Sequence, residues 1–222
     1  MHATRWTGEA AVRFLKSYKR SDPFFLKASF IRPHSPYDPP DRWLKHYGGA
    51  ELPQAQAARW ADRYVSRSSD APDIWHGRVP RAELQNTRAA YYGSVSFVDE
   101  QIGRILDTVE QRGWSEETLV FFTSDHGDML GGQNLFRKGY GYQQSVHVPM
   151  LMRLPAGGSG ARLGAEVDQV VELRDVLPTF LDAAGAQAHG AMDGRSLLPL
   201  ARGDGAGWRE YIDLEHDLLN LA

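Results

Sequence analysis

Residues 119–131 have the sequence LVFFTSDHGDMLG, a short apolar run that ends in a carboxylate, an imidazole and a glycine. Continuous apolar runs rich in aromatic and β-branched residues are typical of a strand that is buried on both faces. In open α/β sheets the ligand crevice lies at the carboxyl ends of the strands. We therefore expect Asp125 and His126 to lie where a metal ion or an anionic substrate is held, with Gly127 allowing a sharp turn behind them. The plain alternative is a strand followed by an ordinary polar turn.

The composition limits the class of protein. The 222 residues are enough for one sizeable core, and 42% hydrophobic with 24% charged residues is ordinary for a globular chain. A formal net charge of -3 does not indicate the strongly basic surface that is typical of nucleic-acid-binding proteins. No apolar run is long enough to span a bilayer, and no signal-peptide pattern follows Met1. Because cysteine is absent, disulfides and thiolate metal sites are excluded.

Hydrophobic periodicity predicts alternating helices and strands. We expect helices at 6–19 (capped by Thr7), 83–113 and 172–184, and strands at 24–31, 119–123 and 150–153. The core face of the long helix is predicted to contain Tyr91, Val95, Val98, Ile102, Ile105 or Leu106, and Val109. Residues 33–48 are predicted to form a proline-rich loop without regular structure, 49–81 a surface excursion, and 157–160 a surface turn. This alternation favours an α/β fold with a largely parallel sheet flanked by helices.

Five blocks follow one another in a specific order. They are KASFIRPHSPYDPP at 27–40, the run at 119–131, LFRKGYGYQQSVHVPMLMRLP at 135–155, DVLPT at 175–179 and DGRSL at 193–197. Taken in this order they resemble the sulfatase family of the alkaline-phosphatase-like superfamily, over roughly residues 24–216. The resemblance implies a partial alkaline-phosphatase-like fold and metal-dependent hydrolysis of a sulfate ester of a small molecule or carbohydrate.

The resemblance also implies roles for individual residues. Asp125 and His126 match two ligands of the family's divalent metal site. Calcium is expected first, while magnesium suits the same oxygen ligands and the imidazole leaves manganese or zinc open. Lys138 matches the lysine that contacts the anionic oxygens of the ester, with Arg137 a weaker candidate. His34 matches the histidine that contacts the ester and can protonate the leaving oxygen. The alternatives are that Lys138 is a solvated surface lysine and that His34 is a structural histidine. The resemblance places the four predicted site residues, Asp125, His126, Lys138 and His34, at one sheet edge.

One part of the family pattern has no match. The family's nucleophile is a formylglycine made from a Cys/Ser-x-Pro-x-Arg motif, but Ser21–Phe25 (SDPFF) has phenylalanine where the motif has arginine, and no Asp-Asp pair occurs. Glu215–His216 resembles a late segment that borders the site. We therefore expect residues 1–222 to be a single incomplete sulfatase catalytic domain, without the N-terminal nucleophile and metal segment or the C-terminal subdomain, and inactive by itself. A phosphodiesterase or phosphonate monoester hydrolase of the same superfamily, and a non-catalytic remnant, are the alternatives.

Overall fold

A computed structural model describes residues 1–66, 68–71, 74–156 and 164–215. Its helices and strands, in chain order, are α1 (Ala3–Ser17), α2 (Asp41–Tyr47), β1 (Ser68–Ala71), β2 (Ile74–His76), α3 (Arg81–Gln111), β3 (Val120–Thr123), β4 (Leu135–Arg137), α4 (Gln143–Val146), β5 (Met150–Arg153), α5 (Val176–Ala183) and α6 (Leu198–Ala201). Short 3-10 helices cover Arg59–Tyr64, Gly132–Asn134 and Leu173–Asp175. The predicted turn at 157–160 and His216 lie outside the described residues.

The described residues divide into two compact units. The first contains Met1–Ser115 and His126–Val148, and the second contains Glu116–Asp125 and the described part of 149–217. The chain leaves the first unit before β3 and returns to it directly after Asp125. The two predicted metal ligands, although adjacent in sequence, are therefore described with different units.

In the first unit, α1 packs on the long helix α3. The buried residues of α1 are spaced three or four apart and share one face: Thr4, Gly8, Ala11 and Leu15. Gln101 of α3 lies so close to Gly8 that a side chain would not fit there. The helix begins earlier than predicted, because the amide of Thr4 donates to the His2 ring at 3.1 Å. His2, not the predicted Thr7, therefore caps α1.

Helix α3 confirms the helix predicted at 83–113, beginning and ending two residues earlier. Its buried face is the predicted one only in part. Val98 and Val109 are buried, but Val95 is 41% exposed and Gly93 lies on the buried face instead. Periodicity missed this because glycine carries no hydrophobic signal. Its lack of a side chain lets Pro39, from the proline-rich segment, approach the helix closely.

The segments predicted to lack regular structure contain some. Helix α2 begins directly after Pro40, where the run of prolines ends. The backbone N–H that proline lacks would have no hydrogen-bond partner within the helix at this position, so its absence does not destabilise the helix. It packs on α3, where the Tyr47 hydroxyl lies 2.8 Å from that of Ser96. The excursion at 49–81 contains β1 and β2, which form an antiparallel sheet with β4 in the order β1-β2-β4.

In the second unit, β3 pairs with β5, with Val120 opposite Arg153 and Thr123 opposite Met150. The predicted largely parallel sheet is wrong for the described residues, since every ladder that they form is antiparallel. The strand predicted at 24–31 joins none of these ladders. Nor is the β3–β5 pair buried on both faces: Phe122 is 37% and Leu151 61% exposed. An apolar run predicts a strand, but it does not identify the partner or its direction.

The helix predicted at 172–184 is confirmed by the 3-10 helix and α5. Here the DVLPT and DGRSL blocks bind each other. The Asp175 carboxylate accepts from the amide of Arg195 at 2.8 Å, and the Thr179 hydroxyl accepts from the amide of Leu197 at 2.9 Å. The guanidinium of Arg209 donates to both oxygens of Asp175, at 2.6 and 2.7 Å. These two blocks therefore stabilise the second unit.

Candidate active site

His34 and Lys138, the two residues predicted to contact the ester, touch each other in the first unit. His34 stands between two cis peptide bonds, Arg32–Pro33 and Ser35–Pro36. Its Nδ1 lies 2.8 Å from the carbonyl oxygen of Ser35, and its Nε2 lies 2.6 Å from Lys138 Nζ. A carbonyl only accepts and an ammonium only donates, so Nδ1 carries the ring hydrogen and Nε2 accepts from Lys138. The geometry thus fixes the tautomer of His34.

His126 belongs to the same cluster. Its ring packs edge-to-face on that of His34, with the centroids 5.8 Å apart. Its Nδ1 lies 2.8 Å from the carbonyl oxygen of Gly127, and because a carbonyl only accepts, Nδ1 carries a hydrogen. A histidine ligand is usually oriented in this way, by a hydrogen bond from its other nitrogen to a carbonyl. Three of the four predicted site residues therefore lie in the first unit.

The residues predicted to bind a metal ion are Asp125 and His126. A carboxylate, as in Asp125, and an imidazole, as in His126, are each ligand types that suit a divalent cation. Across residues 1–66, 68–71, 74–156 and 164–215, no group of three or more Asp, Glu or His side chains is placed to hold a metal ion. Calcium takes about six to eight oxygen ligands. The chemistry of each residue therefore suits a metal ion, and further donors would be needed to complete a ligand set.

Gly127 is required for a different reason from the one predicted. It does not have the positive φ that would make it a tight-turn glycine. Instead its amide donates to the carbonyl oxygen of Ser145 at 2.7 Å. A side chain at this position would overlap the backbone carbonyl oxygen of Gln144. The glycine therefore allows the His126 segment to lie directly against the backbone of the 144–145 segment.

Asp128 and Tyr37 are also part of the cluster, although no role was predicted for either. One oxygen of Asp128 accepts the Tyr37 hydroxyl at 2.7 Å, and the other accepts the amides of Leu130 at 2.9 Å and Arg137 at 3.0 Å. Burial, and then the nearby Asp128 carboxylate, raise the pKa of Tyr37 well above its usual range, so its hydroxyl remains a donor. The one feature of the sequence that could have predicted these two residues is their position directly after the DHG and PHSP motifs.

The family model described as "Sulfatase" matches residues 4–186. The chain belongs to the sulfatase family. An arylsulfatase of Clostridium perfringens is 38% identical to this sulfatase chain, over 97% of the chain and 45% of the relative. The multifunctional alkaline phosphatase superfamily protein PehA of Trinickia caryophylli is 32% identical, over 96% of the chain and 44% of the relative. The crystal structure of a phosphonate monoester hydrolase of Agrobacterium radiobacter matches with a TM-score of 0.78 at 29% identity, over 93% of this chain and 43% of that one.

These similarities confirm the predicted family of hydrolases and the partial α/β, alkaline-phosphatase-like fold. The sulfatase chain spans less than half the length of the relatives that it matches. Among the helices of the described residues, none is long and apolar enough to cross a membrane.

Proposed function

We propose that this chain supplies the leaving-group side, and two of the metal ligands, of an active site that hydrolyses a sulfate ester of a small molecule or carbohydrate. The observation that carries the proposal is the 2.6 Å contact between Lys138 and His34, from segments 104 positions apart. An ammonium and an imidazole in contact suit an ester that needs both charge neutralisation and a proton. We further propose that residues 1–222 belong to one catalytic domain.

In this proposal each residue meets one requirement of ester hydrolysis. The ammonium of Lys138 neutralises the anionic oxygens of the bound ester. The proton for the leaving oxygen starts on Lys138: Nε2 of His34 accepts it and passes it to the leaving oxygen, which leaves Lys138 as a neutral amine, while Nδ1 of His34 keeps its hydrogen on the carbonyl oxygen of Ser35. Asp125 and His126 would hold a divalent cation, calcium first, which supplies Lewis-acid stabilisation when bound. By resemblance, the nucleophile comes from a motif that this sequence does not contain.

A second candidate is a phosphonate monoester or phosphodiester hydrolase. It is supported by the similarity to the Agrobacterium radiobacter phosphonate monoester hydrolase. The lysine, histidine and metal donors suit either ester, since both present anionic oxygens and a leaving oxygen. Comparison of the dissociation constants of phenyl sulfate and phenyl phosphonate monomethyl ester distinguishes the two candidate functions. Tighter binding of phenyl sulfate favours the sulfatase, and tighter binding of the phosphonate favours the alternative.

Replacing Asp125 by alanine is expected to abolish calcium retention by the chain. The change removes the one carboxylate of the proposed ligand pair, and with it the negative charge that offsets the cation. Elemental analysis after equilibrium dialysis against calcium measures the bound metal, because dialysis also detects a cation that two protein ligands hold weakly. The control is Asp107→Ala, an exposed carboxylate on α3 that should leave the metal content unchanged. Equal metal content in wild type and Asp125→Ala would exclude Asp125 as a ligand.

The 222-residue chain by itself is expected to show no turnover of p-nitrophenyl sulfate or bis(p-nitrophenyl) phosphate, with calcium or manganese present. Without a formylglycine precursor it has no covalent nucleophile of the family's kind, and two protein ligands would hold a cation weakly. Release of p-nitrophenol measures the rate. Metal-dependent turnover that disappears in Lys138→Ala would show this expectation to be wrong, because the residues present would then carry the chemistry.

A further inference from the structure

We propose that Asp128 is a positioning residue that brings Lys138 and His34 together: one carboxylate oxygen holds Arg137 in a left-handed backbone conformation, and the other holds the hydroxyl of Tyr37. The inference rests on the proposed function in one respect, namely that His34 and Lys138 are the groups that meet the ester. Asp128 itself is assigned no contact with substrate. Its role lies in holding the end of β4, directly before Lys138, and in its link to the segment that carries His34.

The first observation is the backbone at Arg137. This last residue of β4 has a φ of 61°, a conformation that non-glycine residues seldom adopt and that persists only where the surroundings impose it. Both its backbone N–H and its backbone carbonyl are hydrogen-bonded to the segment that contains Asp128 and Met129. Its amide donates to Asp128 Oδ1 at 3.0 Å, and its carbonyl oxygen accepts from the amide of Met129 at 2.8 Å. Lys138 follows directly, so the direction of its side chain depends on this turn.

The second observation is that the same carboxylate reaches the His34 segment. Asp128 Oδ2 accepts the hydroxyl of Tyr37, three residues after His34, at 2.7 Å. The Tyr37 ring in turn packs edge-to-face on Tyr91 of α3, with the centroids 5.7 Å apart. Burial and the Asp128 charge raise the pKa of Tyr91 to about 12. One oxygen of Asp128 thus fixes the lysine turn, and the other fixes the histidine segment against the long helix.

Removal of the carboxylate has a definite consequence. Without an acceptor for its amide, Arg137 should relax to a negative φ, because the left-handed conformation is then no longer imposed. Lys138 would then turn away from His34 Nε2. Glycine adopts positive φ freely, so a glycine at 137 should recover much of the contact even without Asp128. A carboxylate that merely stabilised the fold would not give this pattern.

The nitrogen-15 resonances of the His34 ring test the proposal at a single pH, without ester or metal. Lys138→Ala defines the Nε2 resonance when the lysine donor is missing. Asp128→Ala is expected to match that resonance. Asp128→Asn is expected to match wild type, because its amide oxygen can still accept both backbone amides and its NH2 group can donate to the hydroxyl oxygen of Tyr37. Arg137→Gly in the Asp128→Ala background is expected to return the resonance most of the way to wild type, and Asp107→Ala is the unchanged control.

A wild-type Nε2 resonance in folded Asp128→Ala would overturn the proposal. So would a failure of Arg137→Gly to restore the resonance in that background. If Asp128→Ala does not fold, Tyr37→Phe decides, because it removes only the hydroxyl: a shift toward the Lys138→Ala resonance supports the proposal, and no shift overturns it. Loss of ester binding while the ring resonances stay unchanged would count against the proposed function and not against the positioning role.

Discussion

Replacement of Asp175 by alanine is expected to lower the free energy of unfolding of the second unit by about 3–5 kcal/mol, the usual cost of removing one partner of a buried ion pair. The Asp175 side chain is fully buried and that of Arg209 is 12% exposed. The carboxylate also accepts the amides of Arg195 at 2.8 Å and Glu172 at 2.9 Å. Alanine would leave two amides without this acceptor and the largely buried guanidinium of Arg209 with only the carboxylate of Glu172, at 3.4 Å.

Urea unfolding followed by circular dichroism measures the effect. The matched control is Asp193→Ala, because that carboxylate is 85% exposed and lies 3.9 Å from Arg174. An exposed pair of this kind contributes about 0–1 kcal/mol. A loss below about 1 kcal/mol for Asp175→Ala, similar to that of the control, would show that the Arg209 pair does not stabilise the unit.

The same carboxylate predicts a pH dependence. Burial alone would raise the pKa of Asp175, but hydrogen bonds from Arg209 and from the amides of Arg195 and Glu172 outweigh it and hold the pKa below the usual 3.8. The stabilisation is therefore present above about pH 4 and is lost as the pH falls through the lowered pKa of the folded state. The difference between wild type and Asp175→Ala should be full at pH 7 and shrink in strong acid.

Replacement of Gly127 by alanine is expected to destabilise the first unit by about 3 kcal/mol, at the upper end for overpacking, because the new methyl group would overlap backbone and not a movable side chain. The shift needed to relieve the overlap with Gln144 would also break the hydrogen bond from the Gly127 amide to Ser145. His126, the neighbouring residue, would move with it. We therefore expect Gly127→Ala to reduce calcium retention as well as stability.

Gly103→Ala is the matched control for this variant, with an opposite expected sign. Gly103 lies within α3, is exposed and has no atom near enough to meet a new methyl group. Alanine in a helix interior should stabilise by roughly 0.5–1 kcal/mol relative to glycine. Urea midpoints of the two variants give the comparison. A Gly127→Ala chain as stable as wild type would show that the close approach to Gln144 is not required.

The sequence predicted helices better than strand pairing. Helix α3 and the helix at 172–184 were found because their apolar residues recur with helical spacing over several turns. The run at 119–123 was correctly predicted as a strand, but its antiparallel partner was not, since periodicity does not encode the neighbour. The helix at Asp41–Tyr47 was missed because the prolines before it suggested a loop throughout.

For the candidate site, the ordered motifs predicted which residues to examine but not how they are held. The contact between His34 and Lys138 depends on a carboxylate, Asp128, whose spacing to either residue has no periodic meaning. Gly127 was assigned to a turn, although close backbone packing is what requires it. Such contacts depend on the tertiary fold and leave no local signal in the chain.

The most direct measurement is a calorimetric titration of phenyl sulfate into the chain in calcium buffer, for wild type, Lys138→Ala and Lys16→Ala. Lys16 is an exposed lysine of α1 and keeps the change in net charge the same. A charge-assisted hydrogen bond contributes about 1.5–3 kcal/mol. We therefore predict that Lys138→Ala weakens binding at least about tenfold, while Lys16→Ala binds as wild type does. Equal affinity in all three chains, or no binding of phenyl sulfate by wild type, would contradict the proposed ester site.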